Sequence, residues 1–471
     1  MNVQTDIRAD LPLTEQLAAF ATGLQHAEIP EKVRTRAVHH MLDAAGIALA
    51  STKYPFAEPV LRGLKSLGDT GADGSGVPVF GYPDRLAPRD AATMNGYLCH
   101  GLDYDDTHVA GIIHATTSVL PATLSAAAMT GASGRDMVTA YIVGMETATR
   151  IGMCARGAFH QVGFHPTGIV GIFGCVLAAG RLLGLSPEQL AHAQGLAVSM
   201  AAGSMEFLED GAWNKRFHPG WAASSAITAC ALAREGFVGA TRPYDGRFGF
   251  FNIYGGKFTD WVDLSLITAG LGQEWQLMLT AIKPYPTCHF THGVIDCAIA
   301  LRDRALLDRI RSIEAAVPME VHTTICEPEA NKRRPRNDYD AKFSTHFLVA
   351  TALKHGRLGL AELEPDYLAD AQVHALMDRT TCAEYGDGPF PAAYSGRLAI
   401  TLDDGTRLTH DEPVNRGAAD RPLTNAEIVA KYRQNAGLAA SAERVAAMEQ
   451  AMLSLDDAPG AAEALAVFGA T

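Results

Sequence analysis

Residues 163–183 read GFHPTGIVGIFGCVLAAGRLL, and the middle of that stretch decides the fold class. From 168 to 180 there is no charge, and a helix built from these residues is apolar on every side. Such a helix belongs at the centre of a bundle, not on its surface. It is shorter than the roughly 17–25 residues a membrane crossing requires, so it reads as core and not as an anchor.

The flanking segments carry the same signature. Residues 13–24, 30–49, 120–130, 136–151, 167–183 and 221–235 place apolar side chains at three- and four-residue spacing. Ser133 with Asp136, and Ser186-Pro187-Glu188 before 190–199, supply helix-start signals, and Pro30 suits a first turn. The 45 glycines and many alanines lie inside apolar runs, which predicts closely packed helices.

The texture changes near Ile282. Residues 313–322 (IEAAVPMEVH) alternate and are rich in β-branched side chains. Residues 396–401 (GRLAIT) and 406–408 predict a hairpin about Asp403-Asp404-Gly405. Helices are expected between them at 293–304, 343–353 and 362–367, and again at 424–435 and 441–455. The expected fold is mainly α: a helical domain from 1–274 and 405–471, with a separate α+β domain at 275–404. There is no internal repeat and no low-complexity segment.

A chain of 471 residues exceeds one ordinary core and predicts two domains. With 48% hydrophobic and 19% charged residues, the composition is globular. The net charge of -13 argues against nucleic acid, which needs a basic face. An anionic substrate must then be drawn in by local cations. The eight cysteines form no CxxC pair, and Cys154, Cys175 and Cys230 sit in apolar surroundings. Disulfide and zinc frameworks are not expected, and a reducing cytoplasm fits. Asp6, Arg8, Asp10 and Glu15 precede any long apolar run, so neither a signal peptide nor a membrane association is expected. GxGxxG, GxxxxGK[ST] and GxSxG are absent, which leaves nucleotide and serine-hydrolase chemistry unsupported.

Four polar spots interrupt the apolar background. The densest is His100-Gly-Leu-Asp103-Tyr-Asp105-Asp106-Thr107-His108 with His114 beyond. On a helix, Asp103 and Thr107 would share a face with His100. Such a cluster could orient a general acid or base, ligate a metal, or cap a helix C-terminus. The second is His165, at the mouth of the buried helix, where the positive helix end lowers an imidazole pKa and welcomes anions; the plainer reading is a turn with His165 in water. The third, Trp213-Asn214-Lys215-Arg216-Phe217-His218-Pro219-Gly220, puts Lys215 before another small-residue helix, where it could meet a carboxylate or simply face solvent. The fourth, Lys283-Pro284-Tyr285-Pro286-Thr287-Cys288-His289, lies at the expected domain junction, where ligand clefts commonly form. Cys288 and His289 are adjacent, which makes a nucleophile–base pair a minor reading. The basic run Lys332-Arg333-Arg334-Pro335-Arg336 reads as a solvated loop.

Taken in order, LDAAGIALA (42–50), NGYLCHGLDYDDTH (95–108), GFHPTG (163–168), NKRFHPG (214–220), KPYPTCHFTH (283–292), DYDAKFS (338–344) and RPLTNAEIVAKY (421–432) resemble the MmgE/PrpD family. That family includes 2-methylcitrate dehydratase, cis-aconitate decarboxylase and iminodisuccinate epimerase. The resemblance implies a large helical domain made from both chain ends, a smaller α+β lid, a homodimer, and catalysis without metal or organic cofactor. Carried over by position, it implies a pocket with Asp103, His114, His165, Lys215 and Lys283 as catalytic residues. Thr107, Lys215, Lys283 and Tyr285 would hold substrate. The family's first motif commonly ends in His-Pro, whereas Ala115 follows His114 here. Glu206, Glu209 and Asp210 make the region before Lys215 more acidic than in relatives handling tricarboxylates; facing the pocket, they would favour a substrate with fewer negative charges.

The implied partner is a small polycarboxylate, and the chemistry is proton transfer next to one of its carboxylates. Two ammonium groups, Lys215 and Lys283, are expected to converge on an imidazole and neutralise the developing charge, with His165 or His114 moving the proton. A hydro-lyase of the 2-methylcitrate dehydratase type is the leading expectation. Decarboxylation and epimerisation use the same groups, and a metal-binding or non-catalytic binding protein is the rival of another class.

Overall fold

The computed structural model describes residues 11–68, 76–305, 307–386 and 388–469. Asp6, Arg8 and Asp10 lie outside the described residues. The chain is mainly helical and divides into two compact units. The first is Met1–Met205, Asn214–Thr280 and Thr424–Thr471; the second is Glu206–Trp213 and Ala281–Leu423.

In the first unit the helix Pro166–Leu182 is the hub. Its residues from Pro166 to Gly180 are all buried, and helices Thr116–Thr130, Gly134–Cys154 and Asn214–Arg234 pack around it. Small residues allow this closeness. A Cβ on Gly174 would lie 2.4 Å from the Gly144 carbonyl oxygen, well inside van der Waals contact. Helix starts follow the sequence signals: Ser133 accepts from the Asp136 N–H, and Ser186 and Thr424 form capping boxes with Gln189 and Glu427. Each satisfies N–H groups that the first helical turn leaves orphaned. Pro30 is the residue before the helix Glu31–Ser51, not part of its first turn.

Several helices were hidden from the apolar pattern, Ala57–Lys65 and Ala371–Asp378 among them. Pro88–Cys99 was not anticipated, and Asn214–Arg234 starts well before 221. The reason for the second is that Lys215, Arg216 and His218 are buried polar residues, so they interrupt the hydrophobic periodicity without interrupting the helix. These two helices touch at glycines. A Cβ on Gly96 would lie 2.6 Å from the Gly220 Cα. That close approach brings the C-terminus of one helix to the start of the other.

The second unit holds four strands: β1 (Ile310–Val317), β2 (Thr380–Glu384), β3 (Gly396–Leu402) and β4 (Arg407–Glu412), in the order β2-β1-β3-β4. β2 runs parallel to β1, and the other pairs are antiparallel. Helices His292–Leu301 and Thr345–His355 pack on the sheet. β1 stops at Val317, short of the predicted 322, because Pro318 has no N–H for the ladder. The β3–β4 hairpin turns at Gly405, whose φ of 84° is left-handed. Since β4 is bonded to β3, this unit continues to Leu423, past the expected boundary at 404. β2 (TTCAE) lacks alternation and was not predicted.

The basic run is not a solvated loop. Lys332 Nζ donates to the Thr324 carbonyl at 2.8 Å, Arg333 to the Thr380 carbonyl at 2.7 Å, and Arg334 pairs with Asp378 at 2.7 Å. It ties the chain around β2. No helix among the described residues is long and apolar enough to cross a membrane.

Candidate active site

Helix Pro88–Cys99 ends at His100, and the chain from there to His114 is loop around a two-residue strand at Thr107–His108, not the helical face expected for Asp103 and Thr107. Beyond the helix end, Asp103 takes a φ of 53°, a left-handed conformation that costs most side chains energy but that Asp tolerates comparatively well. The strain has a visible counterpart. Asp103 Oδ2 accepts from Lys215 Nζ at 2.7 Å, with side-chain exposures of 0% and 6%. Lys215 stands in the first turn of Asn214–Arg234, not ahead of it. Its neighbour Arg216 donates Nε–H to the Gly101 carbonyl at 2.7 Å, so one helix start grips the loop twice.

The carboxylate of Asp105 organises two imidazoles. Its Oδ1 accepts from His100 Nδ1 at 2.8 Å, and Oδ2 lies 3.2 Å from His114 Nδ1. Burial pushes the Asp105 carboxyl up, but His100 and His114 outweigh it and hold it well below the usual carboxylate range. A hydrogen on His100 Nδ1, donated to Asp105, leaves Nε2 as the basic atom. That atom is buried without a hydrogen-bond partner. Burial pulls the His100 pKa down to about 4, against the opposing pull of Asp105, so the ring is neutral near pH 7.

His114 takes the same tautomer. Its nearest acceptor is the Asp106 carbonyl, 2.7 Å from Nδ1, with Thr107 Oγ1 at 3.2 Å, and this again leaves Nε2 as the base. The backbone N–H of His114 donates to Thr167 Oγ1 at 3.1 Å, tying the loop to the hub helix.

His165 immediately precedes that helix and is buried, so it does not point into water. Its ring centroid lies 5.6 Å from that of His100 and 5.7 Å from that of His114. His165 Nδ1 is 3.0 Å from His218 Nδ1, which requires one ring to donate and the other to accept. Burial first, then Lys215 and His218, hold His165 well below its ordinary pKa. His218 is lowered to about 3, by burial and then by His100 and Lys215.

The first unit therefore brings Asp103, Thr107, His114, His165 and Lys215 together. It adds His100, Asp105 and His218, which were not singled out. The first two were visible as members of the dense cluster; His218 lay within NKRFHPG, but nothing in the spacing pointed it at His165. Ligand atoms of His100, His114 and His165, and of His100, Asp103, Asp105 and His114, lie within 4.8 Å of one another. The donor types suit a divalent cation, but the Lys215 ammonium on Asp103 places a positive charge against one. The arrangement fits an anion better. A buried ammonium meets its carboxylate, and neutral imidazoles stand beside it to give or take a proton.

The remaining expected residues belong to the second unit. Lys283 is fully buried. Tyr285 donates its hydroxyl to Asp296 Oδ1 at 2.6 Å. His289 Nε2 meets Asn415 Nδ2 at 2.7 Å, an amide donor that occupies the lone pair a thiol-activating base would use. Glu206, Glu209 and Asp210 are all exposed.

Comparison with known proteins gives a consistent result. Residues 15–260 match the MmgE/PrpD N-terminal domain, and residues 285–457 match the MmgE/PrpD C-terminal domain. A cis-aconitate decarboxylase-like protein of Aspergillus oryzae is 29% identical over 98% of each chain. The cis-aconitate decarboxylase of Homo sapiens is 28% identical, over 94% of this chain and 92% of its own. The 2-methylcitrate dehydratase of Cupriavidus necator is 26% identical over 84% of each chain.

Proposed function

Because this chain belongs to the MmgE/PrpD family, we propose that it is a lyase acting on a small polycarboxylic acid, and that it decarboxylates an acid of the cis-aconitate type. The observation that carries the reading is the buried Lys215–Asp103 pair beside three imidazoles. Support for decarboxylation comes from the decarboxylase relatives, which align over more of the chain and at higher identity than the dehydratase relatives.

The chemistry follows from the groups present. Breaking the carbon–carboxyl bond releases carbon dioxide and leaves an electron pair on carbon. A neighbouring carboxylate delocalises that pair into an enediolate with two negative charges. Lys215 neutralises the growing charge in a site where burial strengthens the attraction. The departing carbon dioxide is replaced by a proton, delivered to carbon by an imidazole. His100, with its basic Nε2 backed by Asp105, and His165 are the candidates. A polyanion entering this cluster raises the pKa of the imidazoles, because a nearby negative charge favours the protonated ring. Substrate binding thus charges the acid that the reaction needs. Asp103 orients the ammonium, and Thr107 offers a hydroxyl to the substrate. No step requires a metal or an organic cofactor.

The second reading is a hydro-lyase on a 2-methylcitrate-type hydroxy acid, supported by the dehydratase relatives. There the imidazole removes the α proton, and a second acid protonates the leaving hydroxyl. The deciding experiment incubates the purified protein with cis-aconitate and, separately, with 2-methylcitrate, and follows carbon dioxide release and product NMR. Carbon dioxide from the first acid establishes decarboxylation; water loss from the second alone establishes the hydro-lyase. If neither acid changes, an epimerase assay with iminodisuccinate by chiral analysis and a metal analysis of the protein take the remaining readings in turn.

A further inference from the structure

Two motifs at opposite ends of the sequence, LDAAGIALA at 42–50 and RPLTNAEIVAKY at 421–432, have no part in the chemistry above. They are nevertheless interlocked. Helix Glu31–Ser51 packs against helix Asn425–Ala436. At the contact, Gly46 leaves room for Tyr432, whose ring carbon would be 2.7 Å from any Cβ at that position. One turn from Gly46, the acidic residue of the first motif meets the single lysine of the second. Lys431 Nζ donates to Asp43 Oδ2 at 2.9 Å, and both side chains are buried, at 6% and 2% exposure.

Packing alone does not call for this pair. Two buried charges lose hydration, and apolar residues of similar volume often serve stability as well or better. The ammonium has a further contact that apolar residues cannot supply. Lys431 Nζ also donates to the Tyr104 carbonyl at 2.7 Å and lies 4.0 Å from the centroid of the Tyr104 ring. Tyr104 stands between Asp103, which holds Lys215, and Asp105, which holds His100. A buried loop has no helical ladder to satisfy its carbonyls, so each needs an outside donor. One residue on, Asp106 is fastened from the same first helix, its Oδ2 lying 2.9 Å from His40 Nδ1. Asp106 in turn gives its carbonyl to His114.

We propose that Lys431, paired with Asp43, is a positioning residue: it clamps the Tyr104 carbonyl and so fixes the loop that presents Asp103 and Asp105 to Lys215 and His100. This rests on the functional reading above and adds a component to it. The chain closes on its own active-site loop through its last third, and the two terminal motifs are the two halves of the clamp.

The test uses the full chain with Lys431→Met, Lys431→Arg and, as a catalytic control, Lys215→Ala. Because either single neutralisation strands a buried charge, the double variant Asp43→Asn/Lys431→Met is included to keep the comparison interpretable. Readouts are kcat and KM on cis-aconitate, Tm, and hydrogen–deuterium exchange of the peptides covering 100–114. A misplaced catalytic group costs rate more than binding, so kcat in Lys431→Met and in the double variant should fall by about ten- to a hundredfold with little change in KM. Exchange should rise in 100–114 and not elsewhere, and Lys431→Arg should recover most of the rate. The proposal is overturned by unchanged kcat in the double variant alongside an inactive Lys215→Ala. It is equally overturned if lost activity tracks faster exchange across the whole first unit. If the wild-type protein turns over none of the acids, the functional reading fails separately. The exchange experiment then decides the clamp alone: faster exchange confined to 100–114 upholds it, and no change refutes it.

Discussion

Asp103 and Lys215 are 112 positions apart in the sequence and 2.7 Å apart in the fold. Both are buried, so this ion pair is shielded from bulk water. Removing Lys215 is the sharpest test of the site. Lys215→Ala should lower kcat/KM on the true substrate by about a hundred- to a thousandfold, the scale of losing one preorganised charge-stabilising donor. Near-normal turnover would remove this lysine from the mechanism.

The backbone at Asp103 permits a separate prediction that needs no substrate. Its φ of 53° favours glycine, so Asp103→Gly and Asp103→Ala lose the same carboxylate but differ in strain. Asp103→Gly should be the more stable of the two by about 1 kcal/mol in urea denaturation. Equal stability, or a more stable alanine variant, would mean that this conformation carries no strain.

Acid should weaken the fold. Burial lowers His100 and His108 to about 4 and His218 to about 3, against an ordinary value of about 6.5 in the unfolded chain. Between those values the unfolded state binds more protons, so stability falls as pH drops from 6.5 towards 4. Asp43 acts the other way: burial raises it to about 6 despite Lys431, so its contribution declines as pH rises from 3.8 to 6. Glu146 and Asp296, raised by burial as well, act with Asp43. The buried imidazoles, with His165 and His346 also held low, outnumber them, and the urea midpoint at pH 5 should lie below that at pH 7. A midpoint that is equal or higher at pH 5 would show that these rings are not held neutral.

Lys283 offers a test in the second unit, where it is fully buried. The family resemblance implies that its ammonium holds substrate, where a fixed positive charge would stabilise the developing negative charge. Lys283→Met should reduce kcat/KM by about a hundredfold. Unimpaired turnover would take it out of the catalytic set.

Glu146 provides the structural contrast. It is fully buried, lies 3.2 Å from Arg150 Nε, and accepts the Gln276 and Leu277 N–H groups at 3.1 and 2.9 Å. Glu146→Ala should cost about 3–5 kcal/mol of stability by stranding a buried guanidinium. A variant as stable as the parent in urea would contradict that role.

Much of this architecture was legible in the chain itself. The uncharged run at 168–180 identified the hub helix, because an all-apolar helix has nowhere else to go. The caps at Ser133 and Ser186 and the Asp-Gly turn at 404–405 marked local structure, because each is settled by a few neighbouring residues. The ordered motifs also marked Asp103, His114, His165 and Lys215. What only the tertiary structure decided is the wiring among them. A helical reading of 100–108 failed because the helix ends at Cys99 and the left-handed Asp103 keeps the chain from resuming it. The pairing of His165 with His218, the dyad of Asp105 with His100, and the reach of Lys431 to Tyr104 all join residues whose spacing encodes no contact. Local pattern reports how a segment satisfies its own backbone; a buried polar group takes whatever partner the packing of distant helices delivers, and that is decided only when the whole chain has closed.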